Sequence, residues 1–195
     1  VWVERSGGSL LSVPRLRRLF PEARLVHVYR DGRDTALSMS RHPGFQIMLA
    51  SLDRLQRLGM KPLDNTAEAG PVCSLLALLF LRLVNPARMI RRQFDLAAYG
   101  SLWSQIILRG QKLLAALPPE RLLSLRYEDV LQRPHEKLRE LIAFIDPSLS
   151  NDAWLQEAAR IPRPNPPKYL SLEPQIRRRL TEACAPGLEA LGYEA

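Results

Sequence analysis

The stretch "VHVYRDGRDTALSMSRH", Val26–His42, decides how this chain is read. With Leu25 before it, Leu25–Tyr29 is apolar at nearly every position, as expected of a strand covered on both faces in a parallel sheet. The run breaks off in Arg30-Asp31-Gly32-Arg33-Asp34 and resumes as a helix-like segment of small and hydroxylated residues. Asp31 or Asp34 can cap that helix, and Gly32 permits a tight turn ahead of it. Ligands of open parallel sheets sit beyond the carboxyl ends of the strands, where helix N-termini offer free N–H groups to anions. Arg30 at the strand tip and Ser38, on the first or second turn of the helix, are therefore candidates to grip one phosphate together. The same residues also suit a solvated turn in which Asp31 and Asp34 pair with Arg30 and Arg33, and spacing alone does not choose.

Working outward, Val1-Trp2-Val3 reads as the end of a strand entering the loop Glu4–Ser9, and Val13–Phe20 as a helix with Leu16, Leu19 and Phe20 on one face. Together with the quoted stretch this gives strand, loop, helix, strand, loop, helix, the order of an α/β fold: a parallel sheet with flanking helices. Residues 43–98 read as a helical insert with a loop around Lys61–Gly70. A helix is expected over Leu102–Leu117, stopped by Pro118-Pro119, and a third strand over Arg121–Arg126, leading into Tyr127-Glu128-Asp129. Helices follow at Pro134–Ile145, Asn151–Arg160 and Glu173–Leu191. Between the last two, the prolines of "RIPRPNPPKYLSL" prevent a regular element. The 195 residues suffice for a single domain with a proper core.

Hydrophobic content of 46% and charged content of 25% are globular values. The excess of 28 basic over 20 acidic residues, net +8, favours anionic partners. Cys73 and Cys184 lie far apart, and His27, His42 and His135 show no ligand spacing, so neither a disulfide framework nor a metal site is expected. The longest apolar run, Pro71–Val84, is shorter than the ~20 residues of a membrane span, and Arg82 interrupts it; it reads as a buried helix. The basic segment Arg82–Phe94 fits either a solvated face or a helix lying on an acidic surface. No signal peptide and no initiator methionine open the chain, so a cytoplasmic fragment lacking its natural N-terminus is expected. A nucleic-acid binder ranks low, because aromatics are only 7% and Phe20, Tyr29, Trp103 and Phe144 fall at core-like positions.

"YRDGRDTALSMSR" resembles the 3′-phosphate-binding segment of the sulfotransferases, in which an arginine at a strand end is followed eight positions later by a serine, as Arg30 is by Ser38. "RDGR" followed by serine, methionine and arginine is most similar to the tyrosylprotein sulfotransferases and related bacterial enzymes, with Arg41 close to a further phosphate-region arginine. "FPEARLVHVYRDGRD" has that family's Phe-Pro lead into the strand. "LPPERLLSLRYEDVLQRPHEKLRELIAFI" resembles its strand ending in Tyr-Glu, and "APGLEALGYEA" its closing helix. The resemblance implies a fold like that of the phosphate-loop NTPases and the donor 3′-phosphoadenosine 5′-phosphosulfate. Its sulfuryl group would pass to a hydroxyl or amine of a small-molecule or peptide acceptor without a metal. It also places Tyr127 beside the adenine nucleotide and Lys168 in contact with it.

"WVERSGG" is similar to the family's later strand and loop, where Arg5 replaces a lysine that steadies the leaving phosphate or transferred group. By that alignment the phosphate loop lies upstream of Val1, and Glu4 is the one local candidate base. The alternative alignment takes "ERSGGSLL" as the phosphate loop itself, with Ser6 near the nucleotide. On this resemblance residues 43–98 form an acceptor lid. No Gly-x-Ser-x-Gly elbow marks Ser6 or Ser9 as a nucleophile, and the absence of a Walker lysine motif weakens a phosphate-loop kinase. The alternative reading is a non-catalytic nucleotide-binding domain that keeps only the 3′-phosphate site.

Overall fold

The structure is a computed structural model that describes residues 1–5, 9–57 and 94–194. The expected buried helix Pro71–Val84, the basic segment up to residue 93, Cys73 and Ser6 lie outside the described residues. The chain divides into two compact units, Val1–Asp31 with Ile106–Ser171, and Gly32–Gln105 with Leu172–Ala195. It is an α/β protein, mostly helical, with a small parallel sheet in the first unit.

The first unit is built on two parallel strands, β1 (Leu25–Tyr29) and β2 (Leu122–Arg126), paired in register from Leu25↔Leu122 to Tyr29↔Arg126. Facing partners share a side of a parallel sheet, so Leu25, Leu122, His27, Ser124, Tyr29 and Arg126 line one face, and Val26, Leu123, Val28 and Leu125 the other. Helix α1 (Val13–Leu19) places Val13 in a cluster with Leu114 and Leu117, against which Leu25 and Leu122 pack. On the opposite face Leu125 is buried, but Val28 is 57% exposed and Val26 37%. Among the described residues the sheet is thus covered on one face only along β1, where burial on both was expected. Apolar alternation cannot reveal this, because both faces of β1 carry apolar residues.

Two further expectations fail in this unit. Val1, Trp2 and Val3 form no strand and are exposed, since a strand needs a hydrogen-bonded neighbour and none pairs with them among the described residues. Helix α1 buries Val13 rather than Leu19 and Phe20, which are 54% and 53% exposed. Phe20 has left the helix as its C-cap, its N–H donating to the Leu16 carbonyl at 2.8 Å.

Helix α2 (Gly32–Met39), helix α3 (Pro43–Arg57) and the first half of helix α4 (Leu96–Leu114) belong to the second unit. The second half of α4 belongs to the first unit. Helix α4 starts earlier than expected, just after Asp95, whose carboxylate accepts the Ala97 N–H at 3.4 Å. It also stops earlier, in a turn closed by the Leu117 N–H on the Leu114 carbonyl at 2.9 Å.

After β2 the chain enters helix α5 (Tyr127–Gln132) without a loop, then α6 (Pro134–Ile145) and α7 (Asp152–Ala158). Helix α6 starts on Pro134, where a missing N–H costs nothing. It ends where Arg24 Nη1 donates to the Phe144 and Ile145 carbonyls at 2.6 and 3.0 Å. That contact ties the end of α6 to the residue preceding β1. The Asn151 side chain caps α7 by accepting the Trp154 N–H at 3.0 Å. The proline-rich stretch carries one short 3-10 turn, Lys168–Ser171.

Helix α8 (Pro174–Ala190) completes the second unit and packs on α2. Pro186 sits inside it and has no N–H to offer the preceding turn. Ser104 of α4 supplies polar contacts there: its Oγ accepts the Gly187 N–H at 2.7 Å and donates to the Cys184 carbonyl at 3.2 Å. A Cβ on Gly187 would meet Trp103 and Ser104, the nearest atom at 2.6 Å.

Gly32 corrects the sequence reading as well. Its φ is not positive, so no left-handed turn requires glycine there. A Cβ would instead fall 2.2 Å from the Trp103 ring. Position 32, the first of α2, is thus a glycine because an indole lies directly on it. We expect Gly32→Ala to destabilise the protein by about 1–3 kcal/mol through overpacking. Chemical denaturation should show most of that loss disappearing when Trp103→Leu is introduced alongside; an undiminished loss would assign Gly32 a different role.

Candidate functional site

The carboxyl end of the sheet is built from the residues that follow Tyr29 and Arg126, the last paired positions of β1 and β2. Because the strands run parallel and in register, Arg30-Asp31 and Tyr127-Glu128 leave the sheet side by side. The Arg30 guanidinium lies over the Tyr127 ring, 5.2 Å from its centroid, a cation–π contact. The Asp31 backbone N–H donates to Glu128 Oε1 at 3.1 Å, and Arg126 Nε stands 3.7 Å from Glu128 Oε2. Arg30, Arg126, Tyr127 and Glu128 are all half-buried, so the charges of the two arginines and the glutamate are only partly screened. The arrangement presents an arginine held at a strand tip, with a flat ring against it and a carboxylate bracing the next peptide.

Ser38 is the penultimate residue of α2 and belongs to the second unit, whereas Arg30 belongs to the first. It lies on the second turn, as one of the two expected placements had it, and its side chain is exposed without a described hydrogen bond. Arg41 follows the helix, also exposed, its N–H donating to the Ser38 carbonyl at 3.2 Å. Asp31 immediately precedes α2, and Asp34 lies in its first turn with only 6% exposure. Arg33 Nη2 donates to the Glu194 carbonyl at 3.3 Å within the second unit.

Lys168 is exposed at the start of its 3-10 turn, and its carbonyl accepts Ser171 Oγ at 2.7 Å. Glu4 and Arg5 are exposed in a segment without regular structure, and Ser6 is outside the described residues. Among the described residues, no group of three or more His, Cys, Asp and Glu side chains is placed to hold a metal ion, and no helix is long and apolar enough to cross a membrane.

Two features were missed from sequence. The Tyr-Glu pair does not by itself single out Glu128, although an acid in the first turn of a helix following a strand is a signal. A surface groove lined by Leu16, Phe20, Leu25, Leu117, Pro118 and Arg121 lies at the other end of β1 from Arg30. It holds the Arg121–Glu22 ion pair, 2.9 Å, and none of the candidate residues.

His27, on the same face as Tyr29, stacks on it with ring centroids 5.5 Å apart. Its Nδ1 is buried without a hydrogen-bond partner among the described residues. Burial pushes its pKa below the ordinary 6.5 because the charged ring loses hydration. The unfolded chain therefore binds the proton at higher pH than the folded one. Stability is full above about 6.5 and falls as pH drops toward the folded pKa. We expect the His27 ring resonances to titrate with a midpoint below 6.5 in NMR spectra. In His27→Gln this part of the pH dependence of unfolding should vanish; a midpoint above 6.5 would contradict the burial argument.

Residues 11–161 match the family described as Sulfotransferase domain. No curated protein and no solved structure matches the chain. The matched range takes in β1, α2, β2, the Arg30–Tyr127 pair and Glu128.

Proposed function

The chain belongs to the sulfotransferase domain family, and on that premise we propose that it binds 3′-phosphoadenosine 5′-phosphosulfate and transfers its sulfuryl group to an acceptor hydroxyl or amine. The observation that carries this reading is the Arg30 guanidinium at the tip of β1, seated on Tyr127. In this reading Arg30 grips the 3′-phosphate of the nucleotide by charge-assisted hydrogen bonds. The eight-residue spacing to Ser38 supports a role for that hydroxyl in the same grip. Tyr127 presents an aromatic face suited to a purine, while the stacking contact limits the rotamers Arg30 can adopt. Lys168, exposed in its turn, supplies a further cation for the nucleotide, and Arg41 another for the phosphate region.

The residues present fit an anionic nucleotide: an oriented arginine, an adjacent aromatic ring, and a basic chain of net charge +8. When bound, the donor supplies an activated sulfuryl group and departs as the bisphosphate. Transfer of such a group depends on positioning and on fixed positive charge where negative charge develops. Arg5 is the residue proposed to steady that charge, and as a guanidinium it binds bidentately but does not release a proton. Glu4 is the proposed local base for the acceptor proton. Residues 43–98 are assigned to the acceptor side, which takes a small molecule or a peptide.

Arg30→Ala should weaken binding of adenosine 3′,5′-bisphosphate by roughly 2–4 kcal/mol, the scale of a lost charge-assisted bidentate contact. Isothermal titration calorimetry against adenosine 5′-monophosphate checks the assignment. Parent protein that binds both nucleotides with equal affinity would remove the 3′-phosphate from the account.

A further inference from the structure

Arg30 is held at two points by successive residues of one helix turn. Tyr127 lies under its guanidinium, and Glu128 accepts the backbone N–H of the very next residue, Asp31, at 3.1 Å. The second oxygen of Glu128 faces Arg126 Nε, at the last residue of β2, across 3.7 Å, an ion pair beyond hydrogen-bond distance. Arg126 is the register partner of Tyr29, and the brace therefore spans the two strands just beyond their final pair. Strand pairing fixes the backbone as far as Tyr29. Past that position the Asp31–Glu128 bond is one described contact that carries this order across Arg30.

We infer that Glu128 is a positioning residue for Arg30: it fixes the peptide after the arginine, and through it the direction in which the guanidinium meets an anion. The inference rests on the reading that Arg30 grips the 3′-phosphate. A carboxylate beside an anion site opposes the anion by its own charge. Its presence here is accounted for by the peptide N–H it holds and the Arg126 cation it faces, which offset that repulsion. Helix α5 also gains from an acid in its first turn, where the peptide dipoles point their positive end. That gain would be met equally by an acid that touched nothing beyond its helix, so it does not explain the bond to Asp31.

The test uses nucleotide binding by the full chain and four variants, read by calorimetry with adenosine 3′,5′-bisphosphate and adenosine 5′-monophosphate as probes. Glu128→Ala should weaken the bisphosphate about tenfold and leave the monophosphate unchanged. Glu128→Gln, which keeps an amide oxygen for the Asp31 N–H, should recover to within about threefold of the parent. The double variant Arg30→Ala/Glu128→Ala should bind the bisphosphate no more weakly than Arg30→Ala alone, because Glu128 acts only through Arg30.

Equal losses for both nucleotides in Glu128→Ala, no recovery in Glu128→Gln, or losses that multiply in the double variant would each overturn the inference. Arg30→Ala serves as the reference arm. If it fails to discriminate the two nucleotides, the 3′-phosphate reading itself is lost. If it discriminates and Glu128→Ala does not, only the positioning role is lost.

Discussion

The first unit depends on a parallel pairing of five residues with five, which ends at Tyr29↔Arg126 and delivers two chain segments side by side. A two-stranded parallel sheet is a weak element by itself, and here it is supported from one side by Val13, Leu114 and Leu117. Its consequence is geometric. Parallel register makes the residues beyond β1 and β2 neighbours although they are 97 positions apart in sequence, as the Asp31–Glu128 bond shows. The arginine at the strand tip therefore meets an aromatic ring and a braced peptide rather than open solvent. An antiparallel pair would send one of these segments to the other end of the sheet.

Local pattern made some of this legible and long-range contact hid the rest. The bounds of β1 were readable because Pro21 and the polar Arg30-Asp31 bracket an apolar, β-rich run. The bounds of α6 were readable because Pro134 opens it and its apolar residues recur at helical spacing. Val1–Val3 has the composition of a strand and is not one, since composition does not supply a partner. Leu19 and Phe20 have the spacing of a buried face and are exposed, since a seven-residue helix seals its core through Val13. Arg30 and Tyr127 are candidates that a family resemblance names, but their stacking was not legible, nor was the bond between Asp31 and Glu128. Those depend on the register between strands that lie far apart in the chain.

Gly32 shows the same limit from the other direction. Its place in a charged turn suggests conformational freedom, yet its φ is ordinary and the constraint is the Trp103 ring lying on it. In the second unit, Trp103 and Ser104 take up neighbouring roles: the ring fills the space left by two glycines, and the hydroxyl serves the backbone around Pro186. The helix with an internal proline thus has a hydroxyl of a neighbouring helix bonded to its backbone on both sides of Pro186. The first residue of α2, two positions after the candidate arginine, is consequently a glycine because of packing.

The most direct test of the account is a crystal structure of this chain with adenosine 3′,5′-bisphosphate. The prediction is that the 3′-phosphate lies within hydrogen-bond distance of the Arg30 guanidinium, with that group still over Tyr127 and the Asp31 N–H still on Glu128. A nucleotide bound elsewhere, or an Arg30 side chain turned away from its phosphate, would contradict the central claim.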